Sequence, residues 1–394
     1  MEEKIDNLLK RGVEAVYPSR EYLKSLLLSG KKIKLYLGID PTGPSLHLGH
    51  AIHLKKLSEF QTMGHEVILL IGDFTAMIGD PTGKGEARKQ LTREQVLDNA
   101  KLYKKQASKF LNFKGENPAR LVYNSKWLGK MKFGDVLELA SRMTVGQMLE
   151  RDMFQKRIKE SRPIYLHEFL YPLMQGYDSV ALAVDGEIGG NDQIFNMLAG
   201  RNLSREISGK DKFVLASKLL VDSSGAKMGK SEGNMVTLAD EPFDMFGKIM
   251  SWDDKLILPG FELCTSLSDE EISKSKERMS AGGNPRDEKI LLAYEITKIY
   301  YGPRKSAQAK NNFINTFKNK ETPADVKEVK VISGTDLKSV LLENGIVSSG
   351  SEFRRLVEEG AVSCDDTKVT DLFYKIETSQ IIKVGKKRFL KINV

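Results

Sequence analysis

Ile33-Lys34-Leu35-Tyr36-Leu37-Gly38-Ile39-Asp40-Pro41-Thr42, continuing through His47-Leu48-Gly49-His50 to Val67-Ile68-Leu69-Leu70-Ile71, decides the fold. Ile33, Leu35, Leu37 and Ile39 alternate with Lys34, Tyr36 and Gly38, the period of a β-strand. A turn of Pro, Thr, Gly, Pro and Ser follows at 41–45, then a helix-like stretch from about Leu46 that Gly64 ends. Val67 to Ile71 is apolar throughout, as in a parallel strand covered on both faces. Strand, helix and strand in so short a span make a βαβ unit, so the N-terminal half is expected to be α/β with a parallel sheet.

Beyond about residue 240 the pattern changes. Ile290, Ala293, Tyr294, Thr297 and Tyr301 recur at helical spacing, and Gly302-Pro303 is expected to stop that helix. A polar stretch at 319–330 reads as a linker. A short helix from Ser351 to Glu359 is closed by Gly360, and Ala361-Val362-Ser363-Cys364, a turn at Asp365-Asp366 and a second strand follow. The expected division is an α/β domain at 1–240, with an insertion at about 90–165 and a Ser/Gly-rich loop at 222–233, then a helical domain at 241–320 and a small α+β domain at 331–394.

Of the 394 residues, 40% are hydrophobic and 29% charged, enough apolar material for a sizeable core. No apolar run approaches the ~20 residues that cross a membrane. The N-terminus lacks the basic-then-apolar pattern of a secretory signal. Cys264 and Cys364 lie far apart without metal-ligand spacing, which argues against a disulfide framework and a structural zinc site. A reducing cytoplasm is the expected location. The net charge of +8 fits either a lysine-rich composition or a polyanionic partner such as nucleic acid.

His47-Leu48-Gly49-His50 stands at a strand-to-helix turn, where free N–H groups and the helix dipole favour phosphate. Two imidazoles one turn apart can donate to phosphate oxygens, and a glycine between them lets a nucleotide approach the backbone. Lys227-Met228-Gly229-Lys230-Ser231 lies in the Ser/Gly-rich loop; alone it reads as a solvated basic loop. Gly79-Asp80-Pro81-Thr82-Gly83-Lys84-Gly85 is only superficially a P-loop, being too short and lacking Ser or Thr after the lysine. Three further stretches are Leu35 to Thr42, Tyr171-Pro172-Leu173-Met174-Gln175-Gly176-Tyr177-Asp178 and Gly189-Gly190-Asn191-Asp192-Gln193.

In their order along the chain these motifs resemble the bacterial-type tyrosyl-tRNA synthetases, a family of class I aminoacyl-tRNA synthetases, and the resemblance runs over essentially the whole chain. HxGH and KMxKS correspond to the class signatures HIGH and KMSKS. The resemblance implies a Rossmann-like parallel-sheet catalytic domain, a helical domain on the anticodon side and a small S4-like α+β domain. It implies activation of tyrosine by ATP and transfer to tRNA(Tyr), with Mg2+ arriving on ATP and no tightly held protein metal. Tyr36 and Asp178 would pair with the phenol hydroxyl, which a site must do to reject phenylalanine. Singly, Tyr36 reads equally as a core aromatic and Asp178 as a helix-surface acid. Asp80, Tyr171 and Gln175 would hold the substrate ammonium, and Gln193 would lie near its carboxylate; alone, Gln175 also reads as a polar helix face. Asp192 would take the ribose hydroxyls, with Gly38, Asp40, Gly49, Gly190 and Met228 lining the ATP site. Thr42, His47 and His50 would be fixed phosphate donors. Lys84, Arg88, Lys227 and Lys230 would grip the β and γ phosphates, beside Ser231.

Two positions depart from the family pattern. Gly229 stands where the signature has serine, and Asn191 where Ser or Thr is usual. Both motif lysines remain. The C-terminal stretch around Ser351 to Ser363 resembles an S4-type RNA-binding domain, with Arg354, Arg355, Lys386, Lys387 and Arg388 as candidate phosphate contacts. The basic end also reads as a solvated tail. The family implies a homodimer with tRNA reaching across subunits. A tryptophanyl synthetase shares the fold and both signatures but has no need of a Tyr36/Asp178 hydroxyl pair. A non-catalytic RNA-binding protein on the same scaffold would be free to lose Asp80, His47, His50, Lys227 and Lys230, all of which are present.

Overall fold

The computed structural model describes residues 2–82, 90–221, 235–318, 326–365, 367–385 and 388–394. They form two compact units, 1–303 and 304–394. The first is built on a six-stranded sheet. Its strands are β1 (Val13–Tyr17), β2 (Lys34–Ile39), β3 (Glu66–Ile71), β4 (Arg120–Tyr123), β5 (Gly186–Gly190) and β6 (Phe213–Ser217), in the order β1-β6-β5-β2-β3-β4. All neighbours are parallel except the edge pair β1 and β6.

The expected βαβ unit is β2, the helix Leu48–Thr62 and β3. Its central strands are buried on both faces, which is why β3 reads as a continuous apolar run. Strand order reverses at β2: the chain proceeds outward to β3 and β4, then returns on the other side with β5 and β6. Such a switch point opens a crevice at the carboxyl ends of the strands, where α/β sheets bind ligands.

One element differs from the sequence expectation. β4 falls inside the stretch read as an insertion, yet it extends the sheet beside β3. Four residues, one of them buried, are too few to display a period. The helix that begins at Pro285 does stop at Gly302-Pro303 as expected: Gly302, with φ 78° and ψ 169°, is non-helical, and a second helix runs from there to Lys318. Proline fits the first turn of the resumed helix, where its missing N–H has no helical partner to lose.

The second unit holds a five-stranded sheet of β7 (Glu328–Lys330), β9 (Val362–Cys364), β10 (Thr367–Lys368), β12 (Gln380–Val384) and β13 (Arg388–Asn393), and a separate pair, β8 (Thr335–Asp336) with β11 (Lys375–Ile376). The helices Leu337–Glu343 and Gly350–Glu358 bury Leu337, Leu341 and Phe353 against Ile382, Leu390 and Ile392. The strand-rich C-terminal domain is thus present as expected. Among the described residues no helix is long and apolar enough to cross a membrane.

Candidate active site

A cavity of about 920 Å³ lies over the carboxyl ends of β2, β3 and β5. It gathers every described residue expected to hold tyrosine or ATP. Tyr36, Gly38 and Asp40 come from β2 and its end, and Thr42, His47, Gly49 and His50 from the turn and helix that follow. Asp80 lies beyond β3, Tyr171, Gln175 and Asp178 on the helix Leu166–Leu182, and Gly190, Asp192 and Gln193 after β5. Lys84, Arg88, Lys227, Met228, Lys230 and Ser231 lie outside the described residues.

Tyr171, Gln175 and Asp178 stand at i, i+4 and i+7, which places them on one face of their helix. Asp178 is buried and accepts from Trp127 Nε1 (2.8 Å) and Asn124 Nδ2 (3.3 Å). Burial raises its carboxyl well above the usual range, and the two donors work against that rise. Tyr36 is fully buried; burial first, then the Glu187 and Asp178 carboxylates, push its phenol well above the ordinary value. At the buried side of the cavity, therefore, a neutral phenol stands with a carboxyl that two donors hold in place.

Above them the carboxylates are tied into a frame. Asp40 Oδ2 accepts from Tyr171 Oη (2.8 Å) and Oδ1 from Thr75 Oγ1 (2.7 Å). Gly72 makes room for this: a Cβ there would sit 2.0 Å from Asp40 Oδ1 and 2.4 Å from Thr75 Oγ1. Asp80 Oδ1 accepts from the Thr82 hydroxyl (2.6 Å), and Thr82 Oγ1 in turn accepts from Arg151 (2.7 Å). Asp80 Oδ2 accepts from Gln193 Nε2 (2.8 Å), which joins the segment after β3 to the segment after β5. Asn196 Nδ2 donates to both Gln175 Oε1 (3.1 Å) and Gln193 Oε1 (3.0 Å). Asp40, expected on the ATP side, is thus bonded to Tyr171, expected on the tyrosine side.

His47 caps the helix Leu48–Thr62, and its backbone N–H donates to His50 Nδ1 (3.2 Å). A ring whose Nδ1 accepts carries its hydrogen on Nε2, so neutral His50 presents an N–H donor. The two rings lie 3.9 Å apart, centroid to centroid. Leu48 N donates to Val236 O (3.1 Å) and Leu238 N to Leu46 O (2.8 Å), so the chain just after the second signature is pinned to the first. Leu219 and Leu220, just before it, line the cavity.

A family model described as class I tRNA synthetases (W and Y) matches residues 28–318. The tyrosine–tRNA ligase of Carboxydothermus hydrogenoformans is 47% identical over 98% of this chain and 96% of its own length. That of Moorella thermoacetica is 43% identical over 98% and 95%. The chain belongs to the tyrosyl-tRNA synthetases. Among solved structures, a C-terminally truncated mitochondrial tyrosyl-tRNA synthetase of Coccidioides posadasii superposes with a TM-score of 0.63 at 25% identity, covering 78% of this chain and 91% of that one.

In this tyrosyl-tRNA synthetase several groups at the cavity escaped the sequence reading. Trp127 and Asn124 hold Asp178, Thr75 holds Asp40, and Arg151 holds Thr82. Glu187 and Lys212 form a buried ion pair behind Tyr36. That pair had a legible signal: Glu187 is the one charge in the strand Gly186–Gly190, and Lys212 directly precedes the apolar strand Phe213–Ser217. In the second unit, Arg354 and Arg355 are exposed, the latter paired with Glu359 (3.0 Å). Arg388 donates to Ile346 O (2.6 Å) and Glu352 Oε1 (2.8 Å), so its guanidinium braces its own domain. Lys386 and Lys387 lie outside the described residues.

Proposed function

We infer that the cavity joins tyrosine to ATP, giving tyrosyl-adenylate and pyrophosphate, and then passes tyrosine to the 3′-terminal adenosine of tRNA(Tyr) with release of AMP. One observation carries the reading. A single cavity is lined both by the buried Tyr36 and Asp178, suited to a phenol hydroxyl, and by His47 and His50, suited to phosphate.

In the first step a tyrosine carboxylate oxygen attacks the α-phosphorus, and the bond to the bridging oxygen of pyrophosphate breaks. No covalent enzyme intermediate is needed, so the chain works by positioning and by stabilising charge on the phosphates. Asp178 accepts a hydrogen bond from the substrate's phenol hydroxyl and Tyr36 donates one to its oxygen. Asp80, Tyr171 and Gln175 surround the ammonium, and Gln193 faces the carboxylate. Tyr171 donates its hydroxyl hydrogen to Asp40, so toward the ammonium its oxygen acts as an acceptor. Asp192 takes the ribose hydroxyls, with Gly38, Asp40, Gly49 and Gly190 along the nucleotide.

Thr42, His47 and His50 donate to the phosphates. Lys84, Arg88, Lys227 and Lys230, beside Met228 and Ser231, meet the β and γ phosphates chiefly in the transition state, which raises the rate rather than ATP affinity. Mg2+ enters on ATP and shields phosphate charge. In the second step a ribose hydroxyl of tRNA attacks the tyrosyl carbonyl and AMP leaves. Arg354, Arg355, Lys386 and Lys387 contact tRNA phosphates, with Arg388 as a brace. The working form is a cytoplasmic homodimer, divided into the catalytic (1–240), helical (241–320) and S4-like (331–394) parts.

Charging of total bacterial tRNA with radiolabelled amino acids tests the inference. Acid-precipitable, ATP-dependent label is expected with tyrosine. Label with tryptophan instead would overturn the pocket roles, and none with any amino acid would overturn the reaction.

A further inference from the structure

Asn196 is fully buried in the first turn of the helix Ile194–Ser208, and two glutamines that line the cavity meet on it. Its Nδ2 donates to Gln175 Oε1 at 3.1 Å and to Gln193 Oε1 at 3.0 Å. Gln193 caps the same helix, whereas Gln175 belongs to the helix Leu166–Leu182. Glycines let the two helices close on each other: a Cβ on Gly176 would stand 3.1 Å from Gly200 Cα. Gly176 adjoins Gln175, and Gly200 lies one turn beyond Asn196 on the same face. At so close an approach a side chain as short as asparagine spans the gap.

Carboxylates hold both glutamine amides from their far ends. Gln175 Nε2 donates to Glu187 Oε1 (3.2 Å), and Glu187 is buried in an ion pair with Lys212. Gln193 Nε2 donates to Asp80 Oδ2 (2.8 Å) and to Asp192 Oδ2 (3.1 Å). A carboxylate only accepts, so each amide turns its nitrogen to the acid and its oxygen to Asn196. Asn196 then faces two carbonyl oxygens and meets both with its NH2 group. Its own Oδ1 is buried with no hydrogen-bond partner among the described residues. Buried polar atoms are rarely left so. Here the stranded oxygen follows from committing both amide hydrogens to the glutamines.

We propose that Asn196 is a positioning residue whose NH2 group locks Gln175 with its oxygen toward the tyrosine ammonium and locks Gln193 as a strut between Asp80 and Asp192. This rests on the reading that Gln175 and Asp80 receive the ammonium and Asp192 the ribose. A carbonyl oxygen has two lone pairs, so Gln175 Oε1 accepts from Asn196 and can still accept from the ammonium. Turned the other way, its NH2 would confront that cation. Gln193 has two amide hydrogens, one for the acid on the tyrosine side and one for the acid on the ribose side. Without Asn196 both amides are free to rotate, and the two acids lose their common brace.

The test is a double-mutant cycle on the full-length chain, read by tyrosine-dependent ATP–pyrophosphate exchange, with thermal unfolding to check that each variant is folded. Asn196→Ala is expected to lower the tyrosine kcat/KM about tenfold, the scale of one lost hydrogen bond. Asn196→Asp keeps the shape but puts an oxygen where the donor was, and should lose at least as much. If Asn196 acts only through the two glutamines, adding Asn196→Ala to Gln175→Ala/Gln193→Ala should cost little more than those two changes alone. General damage to the fold would add in full. A tenfold loss that persists in that background overturns the lock and leaves the pocket roles standing, as does a folded Asn196→Asp with parental kinetics. Parental kinetics in Gln175→Ala/Gln193→Ala overturns the pocket roles of both glutamines and the lock with them.

Discussion

Tyr171 Oη donates to Asp40 Oδ2 at 2.8 Å, across 131 positions of sequence. The bond ties the helix Leu166–Leu182 to the end of β2, two residues before Thr42. It makes the proposed ammonium site and the approach to HxGH parts of one frame. Tyr171→Phe is expected to raise the tyrosine KM roughly tenfold or more, the scale of a lost bond to a charged group. The ATP KM should move far less. Steady-state exchange kinetics measure both, and equal changes would speak against the tyrosine-side role.

Gly72 guards the same carboxylate. Gly72→Ala puts a methyl 2.0 Å from Asp40 Oδ1, which a buried site cannot absorb without displacing Asp40 or Thr75. Overpacking of this kind costs about 1–3 kcal/mol. A lowered Tm together with weakened tyrosine binding is expected; a variant of parental stability and affinity would show that the frame yields easily.

Asp178 supplies a pH signature. Burial raises its carboxyl well above the ordinary range. The folded chain therefore keeps this proton at pH values where the unfolded chain has lost it. The contribution of Asp178 is most favourable at low pH and is lost as pH rises from the ordinary carboxylate range through the folded value. Asp178→Asn does not titrate. Its stability relative to the parent is expected to increase as pH is raised above about 4, read by urea unfolding at several pH values. The same variant should lose about ten- to a hundredfold in tyrosine kcat/KM. A stability difference flat with pH would place the titration elsewhere.

Lys230→Ala tests the second signature. If this lysine acts on the transition state, the rate of adenylate formation should fall on the order of a hundredfold with little change in tyrosine affinity. Pre-steady-state fluorescence separates the two, and matched losses would assign it to binding instead.

The βαβ core was legible because β2, its helix and β3 keep their periods without interruption, and because HxGH marks the turn between them. Edge elements were not. β1 and β4 are short, and β4 lay in a stretch that reads as an insertion. Among site residues, those within dense motifs could be named from sequence. Those that act by holding another side chain could not: Trp127 and Asn124 meet Asp178 only through the fold, 51 and 54 positions away. Asp40 was placed with ATP by its position before HxGH, whereas its bond to Tyr171 becomes visible only when the helix Leu166–Leu182 packs over β2. Arg388 reads as one more base in a basic tail, and only the folded domain shows it turned inward to Glu352.

The central claim is that one cavity selects tyrosine by its hydroxyl and activates it with ATP. Amino-acid-dependent ATP–pyrophosphate exchange, with all twenty amino acids run in parallel on the folded protein, tests it most directly. Exchange with tyrosine and not with phenylalanine is the expected result. Exchange with tryptophan, or equally with phenylalanine, would contradict the Tyr36/Asp178 pairing, and no exchange with any amino acid would contradict the chemistry itself.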